Sequence, residues 1–141
     1  MDLPAVARPV TGLLDGAMDR ALVLGYTKIG SGLRRRWWPA DPPPDALVGK
    51  TVLVTGATAG IGLAMARAFA ELGAEVHLLG RNAAKVRRCV AEIAEQVPGA
   101  NLVGEVCDVS DLEAVAEWTA GFANRVPALE GLVHNAGLMP K

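Results

Sequence analysis

The sequence predicts an α/β fold: a parallel sheet with helices on both faces, and a helical appendage ahead of it. Two observations predict the sheet. From residue 47 onward, short β-branched apolar runs alternate with stretches of helical apolar spacing, and a glycine-rich turn joins the first run to the first helix. A third observation sets the appendage apart. Pro39-Ala40-Asp41-Pro42-Pro43-Pro44-Asp45 holds four prolines, which fix φ and remove backbone donors, so the stretch is neither helix interior nor central strand. The expected organisation is an amphipathic helical appendage over 1–38, a stiff linker over 39–46 and the α/β domain over 47–141.

Within the domain, Thr51-Val52-Leu53-Val54-Thr55 reads as a buried strand that ends at glycine. The spacing of Ile61, Ala64, Met65, Ala68, Phe69 and Leu72 predicts a helix with those residues inward, stopped at Gly73. Glu75 to Leu79 is a second strand, with His77 mid-strand and no functional hint attached to it. Asn82 can cap a helix running to Val97, with Val86, Val90, Ile93 and Val97 on one face and Pro98-Gly99 ending it. Asn101 to Cys107 is a third strand. Ser110-Asp111-Leu112-Glu113 has capping-box spacing and opens a helix with Leu112, Val115, Trp118, Thr119 and Phe122 inward. Leu129 to Val133 is a fourth strand.

Composition excludes several function classes. The 141 residues carry 14 Lys and Arg against 15 Asp and Glu, too balanced for a dedicated nucleic-acid binder. With 51% apolar residues the chain can build a core and is not disordered. Cys89 and Cys107 form no CxxC and no Cys/His cluster, so neither a metal site nor a disulfide framework is expected, only buried reduced thiols. The longest uncharged run, Thr51 to Ala66, is 16 residues, short of the ~20 that a membrane span needs. Asp2, Pro4 and Pro9 do not suit a secretory signal. The expected setting is cytoplasmic.

The appendage places Val10, Leu13, Leu14, Ala17, Met18, Ala21 and Leu22 on one helical face and ends in Arg34-Arg35-Arg36-Trp37-Trp38. Two readings stay open. The helix packs on the domain or a partner, or it makes peripheral membrane contact, with indoles at headgroup depth and arginines on anionic lipid.

The residues that carry chemistry begin at Thr55-Gly56-Ala57-Thr58-Ala59-Gly60-Ile61-Gly62, between the first strand and the first helix. Gly56 permits the turn off the strand, Gly60 lets a pyrophosphate approach the backbone, and Gly62 lets the helix pack close to the sheet. The N–H groups and positive end of the helix then face the phosphates. The hydroxyls of Thr55 and Thr58 can add donors. The context, strand before and helix after within a βαβ unit, is that of a Rossmann-type dinucleotide fold.

The spacing G-x-x-x-G-x-G resembles the short-chain dehydrogenase/reductase family, whose signature TGxxxGIG matches residues 55–62 at every fixed position. Cys107-Asp108-Val109 is similar to the family's Asp-Val pair, and the resemblance implies that the Asp108 carboxylate receives the adenine amino group. His134-Asn135-Ala136-Gly137 resembles its NNAG motif, which supports the sheet and lines the cofactor site, with His134 in place of the first Asn. The likeness covers residues 47–141. The appendage is similar, over a short stretch, to dehydrogenase/reductase proteins of the SDR member-twelve type.

Cofactor choice turns on the end of the second strand. An acidic residue there would bind the ribose hydroxyls of NAD. The position is Gly80, followed by Arg81, so nothing repels a 2′-phosphate and a guanidinium is placed to clamp it. The expectation is NADP rather than NAD. The family's extra basic residue before the second glycine is absent, since that place is Ala59.

The resemblance assigns no catalytic residue. The family places its Ser and Tyr-x-x-x-Lys beyond the fourth strand, and Tyr26, the single Tyr, is followed four residues on by Gly30. The expected function is an NADP-dependent oxidoreductase acting on a small-molecule carbonyl/alcohol pair, with this chain a fragment truncated after the fourth strand. The alternative is a complete, non-catalytic NAD(P)-binding regulatory module. A homo-oligomer is left open.

Overall fold

A computed structural model describes residues 38–137 together with Gly32 and Arg35. The expected appendage helix lies outside the described residues. The chain divides into two units between Asp41 and Pro42, and all the elements below belong to the second.

Seven elements follow one another: β1 (Thr51–Thr55), α1 (Gly60–Glu71), β2 (Glu75–Gly80), α2 (Ala83–Gln96), β3 (Asn101–Val106), α3 (Leu112–Arg125) and β4 (Gly131–Val133). The strands form one parallel sheet in the order β3-β2-β1-β4. The chain therefore moves outward from β1 to β3 and then crosses back, through α3, to the other side of β1. That reversal opens a crevice beyond the carboxyl ends of the strands, where open α/β sheets bind ligands.

Each face of the sheet has its own layer. On one, Val52, Val54, Val76 and Leu78 meet Ala66 and Ala70 of α1 and Cys89 and Ile93 of α2. Leu78, Ile93, Val54, Val76 and Val86 are fully buried, each contributing roughly 1.5–3 kcal/mol of burial. On the other face, Leu53, Leu79 and Cys107 meet Phe122 of α3. Among the described residues no helix is long and apolar enough to cross a membrane.

The structure corrects several boundaries and faces. Helix α1 buries Gly62, Ala66 and Ala70, while the expected inward residues Ile61, Ala64 and Ala68 are exposed. Small residues win because they let the helix backbone approach the sheet. Helix α3 is capped by Asp111, not Ser110: the Asp111 carboxylate accepts from Glu113 N (3.0 Å) and Ala114 N (3.1 Å). Its inward stripe is Ala114, Val115, Trp118 and Phe122, and Leu112 and Thr119 lie exposed. Strand β3 stops at Val106, and β4 is only the three residues that pair with Val52 to Val54. The Asn82 cap forms as expected, accepting from Lys85 N at 3.0 Å. Both Cys89 and Cys107 are buried free thiols.

Candidate functional site

Strand β1 delivers the chain to a tight turn. Gly56 has φ 66°, the left-handed region that a side chain disfavours. A Cβ there would also stand 2.9 Å from Ala136 Cα. Gly62 has no room either: a Cβ would strike Gly56 O and Asn135 Nδ2. Gly60 differs, since nothing lies within 4 Å of a Cβ added to it. The backbone at the start of α1 is therefore open to an approaching group.

That helix start has no side-chain cap. Its N-cap residue is Ala59, and no acidic residue occupies its first turn. Helices α2 and α3 are closed by Asn82 and Asp111. The first N–H groups of α1 thus keep their donor capacity and the positive end of the helix dipole, a ready site for an anion.

The turn is stitched to the end of β4. Thr55 Oγ1 donates to Val133 O (3.2 Å) and accepts from Asn135 N (3.0 Å) and Ala136 N (3.1 Å). Asn135 Nδ2 donates to Thr55 O (3.3 Å) and Gly56 O (3.4 Å). The expectation that Thr55 lends a donor to a phosphate is corrected here, because its one hydroxyl proton is already engaged. His134 is exposed and stands outside this stitching.

A cleft of about 380 Å³ opens at the carboxyl ends of the strands. Of the residues expected to bind a cofactor, Gly56, Thr58, Arg81, Asp108, Val109, Ala136 and Gly137 line it. Thr55, Gly60, Ile61, Gly62 and Asn135 do not: they form or brace the turn, and the Ile61 side chain is exposed. Gly80 is pinned between Thr58 and Val86, a Cβ there lying 2.6 Å from Thr58 Cγ2, so a carboxylate at this position would collide as well as repel an anion.

Asp108 and Arg81 supply the charges. Asp108 Oδ1 accepts from Ser110 Oγ (2.7 Å) and Ser110 N (3.0 Å). Those two bonds, aided by the Arg81 charge, hold the Asp108 carboxyl below the usual carboxylate range, so it is an ionised acceptor at neutral pH. Ser110 was legible only as a helix cap. The Asp-x-Ser spacing, which allows a side-chain turn, was the available signal for its real contact. Cys107 floors the cleft, and burial, with Asp108 and Asp111 nearby, pushes its thiol up. It is a neutral wall and not a nucleophile.

Comparison with known proteins follows the same lines. The sequence model of the short chain dehydrogenase family matches residues 50–141. An uncharacterized oxidoreductase of Schizosaccharomyces pombe is 35% identical over 128 residues, covering 91% of this chain and 37% of that protein. That match necessarily extends to residues before the proline stretch. A short chain dehydrogenase from Escherichia coli CFT073 complexed with NADPH superposes with TM-score 0.63 at 37% identity, over 69% of this chain and 41% of that one. A metagenomic short-chain oxidoreductase in complex with NADP superposes with TM-score 0.60 at 37% identity, over 65% and 41%. The chain spans between 29% and 40% of the length of the curated relatives compared with it. On the family match, the sheet order and the glycine turn together, this chain belongs to the short chain dehydrogenase family.

Proposed function

We propose that the domain holds NADP in preference to NAD, as the dinucleotide-binding portion of an oxidoreductase acting on a carbonyl/alcohol pair. The observation that carries this reading is the grouping of three features at the ends of β1, β2 and β3: an uncapped helix start, the Arg81 cation and the ionised Asp108 acceptor. The residues fit such a group. The open backbone at Gly60 suits the pyrophosphate, Arg81 suits a 2′-phosphate, and Asp108 suits the adenine amino group. When bound, the cofactor supplies or accepts the hydride, and the residues of this chain hold its phosphates and adenine in place. The Escherichia coli and metagenomic relatives are NADPH and NADP complexes, which supports the same choice here.

Calorimetric titration of the 141-residue chain with both cofactors tests the reading. NADP is expected to bind about tenfold more tightly than NAD, roughly the value of one charge-assisted hydrogen bond. Arg81→Ala should remove most of that preference and leave NAD binding little changed. Equal affinities in the unmodified chain, or tighter NAD, overturn the choice of cofactor. Binding should also raise thermal stability, by about 2.7 kcal/mol at a ligand concentration 100 times Kd.

A further inference from the structure

Helix α3 is attached to the sheet differently from its neighbours. It buries one side chain, Phe122, where α1 and α2 each bury three residues. Ala114, Val115, Trp118 and Val126 pack beside Phe122 half-buried, and a polar attachment centres on Glu105 of β3, which is 4% exposed. Glu105 Oε1 accepts from Arg125 Nη1 (3.0 Å), and Oε2 accepts from Arg125 Nη2 (3.0 Å) and from Trp118 Nε1 (3.1 Å). His77 Nδ1 of β2 lies 3.1 Å from Oε1. The Trp118 ring stacks on Phe122 at 4.8 Å, and Phe122 meets the edge of His77 at 5.1 Å. Two residues from α3 thus grip one carboxylate on β3.

The grip lies next to the cleft in the chain. Between Glu105 and the start of α3 run Val106 and the turn Cys107 to Asp111, whose Asp108, Val109 and Ser110 line the cleft. Cys107 N donates to Gly80 O at 3.2 Å, fixing the near end of the turn, and Asp111 N donates to Asp108 O at 3.1 Å within it. The far end is α3 itself. The apolar contacts of Phe122 and its half-buried neighbours are non-directional and by themselves would let α3 slide or tilt on the sheet. A bidentate guanidinium–carboxylate pair has fixed geometry and selects one register.

We propose that Arg125 and Trp118, acting through the Glu105 carboxylate, are positioning residues for the Asp108 turn and so set how well the cleft receives the adenine end of the cofactor. This rests on the reading of the cleft given above. The three residues touch no ligand; they hold α3 where the turn presents Asp108.

The test uses the 141-residue chain and adenosine 2′,5′-bisphosphate, the adenine-side half of NADP, as calorimetric probe. Arg125→Met is expected to weaken binding about three- to tenfold, and Arg125→Lys, which keeps the charge but not the fork, to recover only part of the loss. In an Asp108→Ala background Arg125→Met should change affinity by less than about twofold, because the residue through which it acts is gone. Far-UV circular dichroism checks each fold. Should Arg125→Met fail to fold, Trp118→Phe keeps an aromatic ring on Phe122, removes one donor, and enters the same cycle. Unchanged affinity in Arg125→Met, or an equal loss in both backgrounds, overturns the positioning role. Absence of probe binding by the unmodified chain overturns the reading of the cleft and takes this inference with it.

Discussion

On one face of the sheet, α1 and α2 lie against Val54, Val76 and Leu78 through Ala66, Ala70, Cys89 and Ile93, with almost no polar contact. On the other, α3 lies against Leu53 and Leu79 through Phe122 and completes its attachment with a buried carboxylate, an indole N–H, an imidazole and a guanidinium. Apolar burial is non-directional and indifferent to pH. A buried carboxylate with three partners is directional and depends on its ionisation. The first face is thereby suited to holding the sheet together, and the second to holding a helix at one particular place. The turn that lines the cleft belongs to the second.

The largest expected effect lies on the apolar face. Ile93 is 1% exposed between α2 and the sheet, so Ile93→Ala removes buried methylenes and leaves a cavity, at a cost of about 2–5 kcal/mol. Urea unfolding measures this. The loss should be the same at pH 5 and pH 8, because no titrating group takes part. A loss that varies with pH would erase the distinction between the two faces.

Replacing the central carboxylate should cost less. Glu105→Leu leaves the Trp118 N–H and His77 Nδ1 without their partner, although His77 Nε2 keeps Glu75 Oε1 at 3.0 Å, while Arg125, whose side chain is 53% exposed, can return to water. A loss of about 1–3 kcal/mol is expected from the stranded donors. Glu105→Leu/Arg125→Met should cost no more than the single Leu variant, since a buried ion pair is replaceable by apolar groups of similar size. Should Glu105→Leu prove as costly as Ile93→Ala, the clamp would be part of the core and not an addition to it.

The acid limb sharpens the same contrast. Burial by itself raises the Glu105 carboxyl, but hydrogen bonds from Arg125, Trp118 and His77, with the Arg125 charge, outweigh it and leave the group below the ordinary glutamate range. A carboxyl with a depressed folded-state pKa binds protons less readily folded than unfolded. Its contribution is therefore complete above the unfolded-state value and disappears as pH falls through the folded-state value. The unmodified chain should lose stability on acidification below the ordinary glutamate range more steeply than Glu105→Leu does. Parallel acid limbs in the two proteins would remove Glu105 from the account.

The two faces also differ in how far they can be read from sequence. Strand and helix alternation is local, so β1, β2 and α2 were legible within a residue or two. The glycine turn, Arg81 and Asp108 were legible because parallel topology brings every strand's carboxyl end to one rim. The inward face of α1 was not, since a hydrophobicity pattern favours Ile61 and Met65 over Gly62 and Ala66, and only close helix–sheet approach reverses that order. The clamp was illegible for a different reason. His77, Glu105 and Arg125 lie 28 and 20 residues apart, and their meeting depends on the register of β2 against β3 and on where α3 lands. No local spacing encodes it. Thr55 was misread similarly, its partners lying about 80 residues away on the exit from β4.

The smallest expected effect concerns the apolar face, whose two helices are not alike. Helix α2 starts under the Asn82 side chain, whereas α1 starts at Ala59 with its first N–H groups uncapped. A good N-cap residue at 59 should stabilise the ligand-free chain, so Ala59→Asp is expected to add about 0.5–1 kcal/mol in urea unfolding. The same carboxylate would occupy the donors and the positive helix end on which the pyrophosphate reading depends, so affinity for NADP should fall even as stability rises. Ala59→Gly supplies the control, opening the backbone without adding charge or an acceptor. Opposite movements of stability and affinity in Ala59→Asp alone would mean that the uncapped helix start is kept for an anion. Affinity unchanged in the Asp variant would mean that the phosphates do not lie at this helix end, and the cleft would then have to hold the cofactor by Arg81 and Asp108 without it.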